Sequence, residues 1–144
     1  MKLRVGVIFG GESVEHEVSI ISAVQAMKSM DSEKYEIIPI YIGKDREWYT
    51  GKLLSNIDIY SDLDLLKKYA KNVVLTNKKD SFVLVNKKGL RRVVDYIDIA
   101  FPIVHGTNVE DGTLQGYLEL IGIPYLIIVG RRANEGIVEL KNRY

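Results

Sequence analysis

The chain has 144 residues, of which 47% are hydrophobic, and this is enough for one domain with a buried core. It contains no cysteine, which excludes thiol catalysis and cysteine-ligated zinc. Lysine and arginine (20) nearly balance aspartate and glutamate (19), so neither nucleic acid nor an anionic membrane is favoured as a partner. No apolar stretch approaches the roughly 20 residues of a membrane span or resembles a signal peptide, and we expect a cytoplasmic protein.

The first third of the chain predicts a strand, a helix and a second strand. Residues 5–9 are a short apolar run that ends in two glycines, which is typical of a strand buried on both faces. A helix is predicted from Ser13 onward, with Ser13 as its N-cap. Its apolar stripe is predicted to contain Val14, Val18, Ile20, Ile21, Val24 and Met27. Residues 35–42 are rich in strand formers, and Pro39 favours an edge position or a local irregularity there.

The remaining elements follow the same alternation. In chain order we predict a short extended piece, a short helix, a small β element, a core strand, a helix ended by a glycine, and a final strand: residues 48–49, 62–71, 72–93, 96–101, 113–121 with Gly122, and 124–129. Residues 86–89 (NKKG) are predicted to form a hairpin loop. The fold class is therefore α/β: a parallel sheet with helices on its faces and a small β insertion. In such sheets ligands collect outside the carboxyl ends of the strands.

One loop at that edge is acidic. Glycines before a helix can cradle an anion, but residues 10–17 contain neither a dinucleotide fingerprint nor a phosphate-loop lysine. Glu12, Glu15 and Glu17 suit a cationic ligand such as an amino group, and the alternative is that they only complement the helix dipole. His16 is expected to be a packing or surface residue, because no second histidine lies at metal-ligand spacing.

A second loop, residues 105–112, is polar and bracketed by glycines. His105 can donate to a carboxylate or exchange a proton near neutral pH, and the alternative is a bond to backbone. The acidic end of this loop also has a structural alternative, in which Asp111 or Thr113 caps the following helix. The residues predict no metal site and no complete catalytic set.

Residues 10–19 (GGESVEHEVS) and 105–116 (HGTNVEDGTLQG) resemble the two amino-terminal signatures of the D-alanine:D-alanine ligases. The similarity continues to residues 122–125 (GIPY) and so covers residues 3–125. It implies that residues 1–125 form the family's three-layer, Rossmann-like pre-ATP-grasp domain. That family joins two amino acids by phosphorylating one carboxylate with ATP and magnesium, and its dipeptide enters peptidoglycan.

The resemblance also implies which residues touch substrate. Six residues are expected in the first D-alanine site: Gly10, Gly11, Ser13, Glu15, Val18 and His105. The carboxylate of Glu15 is expected to contact the substrate ammonium, and His105 to lie near the substrate carboxylate. Ser19 is expected in the same shell. The second amino acid stays open among D-alanine, D-serine and D-lactate.

Residues 126–144, a final strand and a charged tail, do not resemble the family's next segment, which leads into the ATP-grasp domains. A truncation, a fused tail or a degenerate gene product would each give this pattern. We therefore expect a chain that is catalytically incomplete and binds neither ATP nor Mg²⁺ alone. A homodimer is expected from the resemblance, and the competing hypothesis is a non-catalytic, self-associating module derived from such a ligase.

Overall fold

The computed structural model describes residues 1–12, 14–103, 112–129 and 137–141. The strands within these ranges are β1 Leu3–Gly10, β2 Tyr35–Ile42, β3 Trp48–Thr50, β4 Lys71–Lys78, β5 Ser81–Asn86, β6 Val93–Ile97, β7 Ile99–Ile103, β8 Tyr125–Val129 and β9 Ile137–Lys141. The α-helices are α1 His16–Ser29, α2 Leu63–Tyr69 and α3 Thr113–Ile121. Two short 3₁₀ helices, Lys52–Ser55 and Ile57–Ser61, precede α2.

All of these strands belong to one sheet, in the order β6-β5-β4-β3-β2-β1-β7-β8-β9. Only the central run β2-β1-β7-β8 is parallel. The other pairs are antiparallel, so the sheet is mixed, and the predicted α/β class is confirmed. The predicted β insertion is part of the same sheet, because β3 joins it to β2.

Strand β1 lies at the centre, between β2 and β7, and is buried on both faces as predicted. Val5, Val7 and Phe9 point into one apolar cluster, and Ile8 points into the other. Helices α1 and α2 pack on the first face, and α3 packs on the second. The period of two along β1 thus produces the three layers that the sequence predicts.

Helix α1 begins later than predicted and buries a partly different face. Its N-cap is Glu15 rather than Ser13, which lies outside the described residues. Val14 is 98% exposed and Val18 is 52% exposed, so they do not belong to the buried stripe. The buried residues are His16, Ser19, Ile20, Ala23, Val24 and Met27. Half of the predicted stripe is thus confirmed (Ile20, Val24, Met27), and Ile21 is exposed like Val14 and Val18. The two polar residues are buried because both bond to backbone at the end of the sheet.

The expectation that Pro39 marks an edge strand is wrong, since β2 pairs with β1 on one side and β3 on the other. The Thr50 hydroxyl donates to the Pro39 carbonyl at 2.7 Å, so this carbonyl faces β3. In an extended strand the amide nitrogen and carbonyl of one residue face the same side. Pairing with β3 begins only at Ile40, so the missing Pro39 N–H interrupts no ladder bond.

The predicted strand at residues 96–101 is divided at Asp98 into β6 and β7, which occupy distant positions in the sheet. The antiparallel end must therefore curl back onto the central strand. Arg4 of β1 makes the closure: its Nε donates to the Tyr96 carbonyl at 3.0 Å, and it forms an ion pair with Asp95. Asp98 exchanges two further bonds with the Arg4 backbone, each 2.8 Å long.

The later elements follow the predictions closely. Helix α2 is capped by Asp62, whose carboxylate accepts from the Leu65 amide at 3.1 Å. Helix α3 spans the predicted residues and ends at Gly122, which has a left-handed φ of 84°. Strand β9 lies antiparallel to β8 in a segment for which no strand was predicted. Among the described residues, no helix has the length and apolar character needed to cross a membrane.

Candidate functional site

The two signature loops leave the sheet from the same edge. Strands β1 and β7 are parallel neighbours, and Phe9 is paired with Ile103 at their carboxyl ends. The segments that begin at Gly10 and after Ile103 therefore start side by side, as predicted for a ligand site at this edge. His105 lies outside the described residues, and so does Ser13.

Two glycines form the turn between β1 and α1. Gly10 and Gly11 have φ values of 97° and 95°, which favour glycine strongly. A Cβ at Gly10 would lie 2.2 Å from the Ile42 carbonyl oxygen, whereas a Cβ at Gly11 would meet nothing within 4 Å. The Gly11 amide donates to the Ile42 oxygen at 2.8 Å, which holds the turn against the end of β2. The backbone at Gly10 therefore lies against β2, whereas the space beside Gly11 is open.

Ser19 connects the ends of β1 and β7. Its side chain is fully buried, and its hydroxyl accepts from the Gly10 amide at 2.8 Å and donates to the Ile103 carbonyl at 2.6 Å. Its own amide donates to the Glu15 carbonyl at 3.0 Å. Ser19 thus contacts the last residue of each strand and the N-cap of α1. The structure places it beneath the loops, bonded to backbone.

His16 occupies the neighbouring position on the same face of α1 and is 3% exposed. Its Nδ1 bonds to the Gly11 carbonyl, and its Nε2 lies 2.8 Å from the Tyr41 hydroxyl. A carbonyl only accepts, so Nδ1 carries the proton, and in neutral His16 the Tyr41 hydroxyl donates to Nε2. Burial, and then the nearby Asp45 and Glu17 carboxylates, raise the pKa of Tyr41 to about 12. The burial of His16 and its two hydrogen bonds confirm it as a packing residue.

The side chains predicted to face substrate lie at the surface. Glu15 is the N-cap of α1 and is exposed, and Val18 is half exposed one turn further along. Glu17 pairs with Lys44 at 3.3 Å. The Glu17 backbone amide and then Lys44 hold the pKa of the Glu17 carboxyl below its usual value. Acidic side chains therefore stand at the positive end of α1, where its dipole favours them.

A cavity of about 460 Å³ lies on the other side of the first loop, next to β2. It extends from His16 and Tyr41 to the 3₁₀ helix and α2, where Tyr60 and Lys67 line it. Neither Glu15 nor the two glycines contribute to its lining. The cavity is thus separate from the edge between β1 and β7, and no sequence pattern predicted it.

No cluster of three or more His, Asp or Glu side chains suited to a metal ion occurs among the described residues.

Comparison with known proteins identifies the family. A family model described as the D-ala D-ala ligase N-terminus matches residues 4–127. The chain belongs to this family. The D-alanine–D-alanine ligase of Thermosipho melanesiensis is 48% identical over 123 residues, which are 85% of this chain and 33% of that protein. The ligase of Caldicellulosiruptor bescii is 45% identical over 128 residues, which are 87% of this chain and 33% of that protein.

Solved structures agree with this assignment. The D-alanine–D-alanine ligase of Coxiella burnetii has a TM-score of 0.70 and 36% identity, covering 87% of this chain and 35% of that chain. The VanG D-Ala:D-Ser ligase of Enterococcus faecalis has a TM-score of 0.68 and 35% identity, with 87% and 35% covered. This 144-residue chain spans about a third of the length of these relatives.

The sequence did not predict the backbone contacts by which His16 and Ser19 organise the loops. His16 and Ser19 are three positions apart and so share a helix face with Ile20 and Ala23. An apolar pattern assigns polar residues to solvent, and this is why His16 and Ser19 were left out of the predicted buried stripe of α1. A usable signal was the placement of both residues just after a glycine turn, where strand-end backbone groups need partners.

Proposed function

We propose that this chain is the substrate-binding amino-terminal domain of an ATP-dependent ligase that joins D-alanine to D-alanine, D-serine or D-lactate for peptidoglycan precursors. The observation that supports it is the match over residues 4–127, which includes both loops that leave the edge between β1 and β7. The family assignment limits the activity to that of a ligase. The geometry suggests which part of the substrate the domain binds.

The ligand proposed for this edge is the first D-alanine. The exposed Glu15 carboxylate at the start of α1 suits a substrate ammonium, because a charge-assisted hydrogen bond is stronger than a neutral one. Val18 offers an exposed apolar contact one turn away for the substrate methyl group. His105, in the second loop, is proposed to lie near the substrate carboxylate. Gly11, whose missing side chain faces open space, is proposed to let the backbone approach the ligand, whereas the missing side chain of Gly10 makes room for β2.

ATP and Mg²⁺ enter this proposal only through the family resemblance. When bound, they would supply the phosphoryl group that activates a carboxylate. The residues of this chain are proposed to bind and orient the first amino acid and to perform no step of phosphoryl transfer. The expected homodimer remains a prediction that sedimentation of the purified chain tests.

The test uses a hybrid ligase in which residues 4–125 replace the matching segment of the Thermosipho melanesiensis enzyme. Glu15→Gln removes the charge and keeps the shape of the side chain. A hydrogen bond to a charged group contributes about 1.5–3 kcal/mol, so the Michaelis constant of the first D-alanine should rise about 10- to 100-fold. Steady-state kinetics at saturating second substrate measure it.

Glu17→Gln is the matched control, since Glu17 is also acidic and exposed in the first turn of α1. It should leave the first-site Michaelis constant within about twofold of the parent hybrid. If Glu15 only complements the helix dipole, both variants should lose about 0.3–1 kcal/mol of stability with unchanged kinetics. That second result would refute the proposed substrate contact.

A further inference from the structure

We propose that Ser19 and His16 are positioning residues that set the geometry of the first D-alanine site from beneath it. Neither can be a direct contact, because Ser19 is fully buried and His16 is 3% exposed. Their polar atoms bond instead to the backbone from which both signature loops start. The inference rests on the proposed function, which places substrate at these loops.

Ser19 fixes the distance between the loops. One hydroxyl group bonds to the Gly10 amide and the Ile103 carbonyl, so a single oxygen atom joins the ends of β1 and β7 in addition to their backbone pairing. The two signature loops begin after Gly10 and Ile103. Loss of this oxygen would deprive the Gly10 amide of its acceptor and the Ile103 carbonyl of its donor. Gly10, which lies beyond the last β1–β7 pair, would then lose its side-chain link to Ile103.

His16 fixes the orientation of the first loop. Its ring joins the Gly11 carbonyl to the Tyr41 hydroxyl on β2, so the turn is held from the side opposite β7. The Tyr41 ring is itself immobilised by packing against Phe9, with a centroid separation of 5.8 Å, and against Tyr60, with a separation of 5.3 Å. His16 therefore connects the glycine turn to the rigid aromatic part of the core.

Both residues act on the position of Glu15. The Ser19 amide bonds to the Glu15 carbonyl, and His16 follows Glu15 directly in the chain. A displacement of about 1 Å in a binding group can reduce a reaction rate by about two orders of magnitude. A small movement of the first turn would therefore weaken substrate binding, although every residue that touches substrate is still present.

The first experiment compares Ser19→Ala with Thr50→Val in the hybrid ligase. Thr50 is 4% exposed, and its hydroxyl also donates to a backbone carbonyl, that of Pro39, but on β3 and away from the loops. Both variants should lower the melting temperature by similar amounts. Only Ser19→Ala should raise the first-site Michaelis constant, by about fivefold or more, with a smaller change in the second-site constant.

The second experiment uses two amide substitutions that each keep one half of the His16 link. Asparagine places its amide nitrogen near the position of Nδ1 and can still donate to Gly11, whereas glutamine places it near Nε2 and can still reach Tyr41. His16→Asn keeps the bond to the glycine turn and loses only the one to Tyr41, so it should raise the first-site Michaelis constant less than His16→Gln does. His16→Gln should raise it about fivefold or more.

The outcomes separate this inference from the proposed function. If Glu15→Gln raises the first-site constant but Ser19→Ala stays within about twofold of Thr50→Val, the positioning role is overturned while the substrate contact stands. If Glu15→Gln also has no effect, the proposed function fails. If Ser19→Ala yields no folded enzyme, the comparison of His16→Asn with His16→Gln is the test. Equal first-site Michaelis constants for these two variants overturn the inference.

Discussion

Gly10 and Gly11 have almost the same backbone conformation but different surroundings. Both φ values lie near 95°, where a residue with a Cβ is strained. Gly10 additionally faces the Ile42 carbonyl oxygen, a backbone atom that cannot rotate away, whereas the space beside Gly11 is open. The pair therefore separates the cost of conformation from the cost of a steric clash within one turn.

We predict that Gly11→Ala costs about 1–2 kcal/mol of the free energy of unfolding, as expected for backbone strain alone. Gly10→Ala should cost at least about 2 kcal/mol more, because its Cβ would overlap the Ile42 carbonyl and displace the end of β2. Urea denaturation of the purified chain measures both. Equal losses for the two variants would show that the turn relaxes freely and that the contact with β2 is unimportant.

At the scale of single residues, the sequence identified the glycine turn and the acidic character of the first loop. It did not identify Ser19 as a link or Tyr41 as a partner of His16. Ser19 was expected among the substrate-contacting residues, yet it lies buried against the strand ends. The partner of a buried polar side chain is often distant in sequence, as Ile103 is from Ser19, and no local pattern reveals it.

At the scale of elements, Arg4 is the cation that holds the antiparallel end of the sheet, β6, against the central strand β1. Arg4 has a largely buried side chain, pairs with Asp95, bonds to the Tyr96 carbonyl and lies 4.2 Å from the centre of the Tyr96 ring. These contacts hold β6 against β1. By comparison, the pair between Lys44 and Glu17 is well exposed on both sides. Solvent screens an exposed pair, so the two cations should differ in their effect on stability.

We predict that Arg4→Gln lowers the free energy of unfolding by about 1–3 kcal/mol, because it removes a charged hydrogen bond, an ion pair and a cation–π contact. Lys44→Gln, its matched control, should change that free energy by less than about 0.5 kcal/mol. Chemical denaturation at two salt concentrations checks the pair. A comparable loss in both variants would contradict a special role for Arg4 in closing the sheet.

Helices and core strands were predicted well where the apolar pattern was strong. Helix α3 has the predicted bounds, and α2 differs from the prediction only at its ends. The errors fell where tertiary contacts override local preference: Pro39 is tolerated inside the sheet because β3 is short, and β9 forms only because β8 offers an open edge. The division at Asp98 was missed because the strand formers on both sides of Asp98 read as one strand over residues 96–101.

At the scale of the whole molecule, the described residues contain no metal cluster, and the chain spans about a third of its relatives. Phosphoryl transfer requires positioned cations and metal ions around the transferred group. We therefore predict no D-alanyl-D-alanine synthesis by the chain alone. A coupled assay of D-alanine-dependent ATP turnover tests this with a preparation that melts cooperatively. Turnover above the level of a heat-denatured sample would overturn the prediction.

The placement of β1 in the middle of the sheet has a consequence for biosynthesis. Its two neighbours are β2 and β7, and its Arg4 backbone bonds to Asp98, 94 residues later in the chain. At about 5–20 residues per second, a ribosome needs roughly 5–20 seconds to travel from the end of β1 to the start of β7. During that interval one edge of this central, largely buried strand has no partner. The nascent chain is therefore most exposed to misassociation before β7 emerges, and slowing translation between β1 and β7 should lower the yield of folded domain.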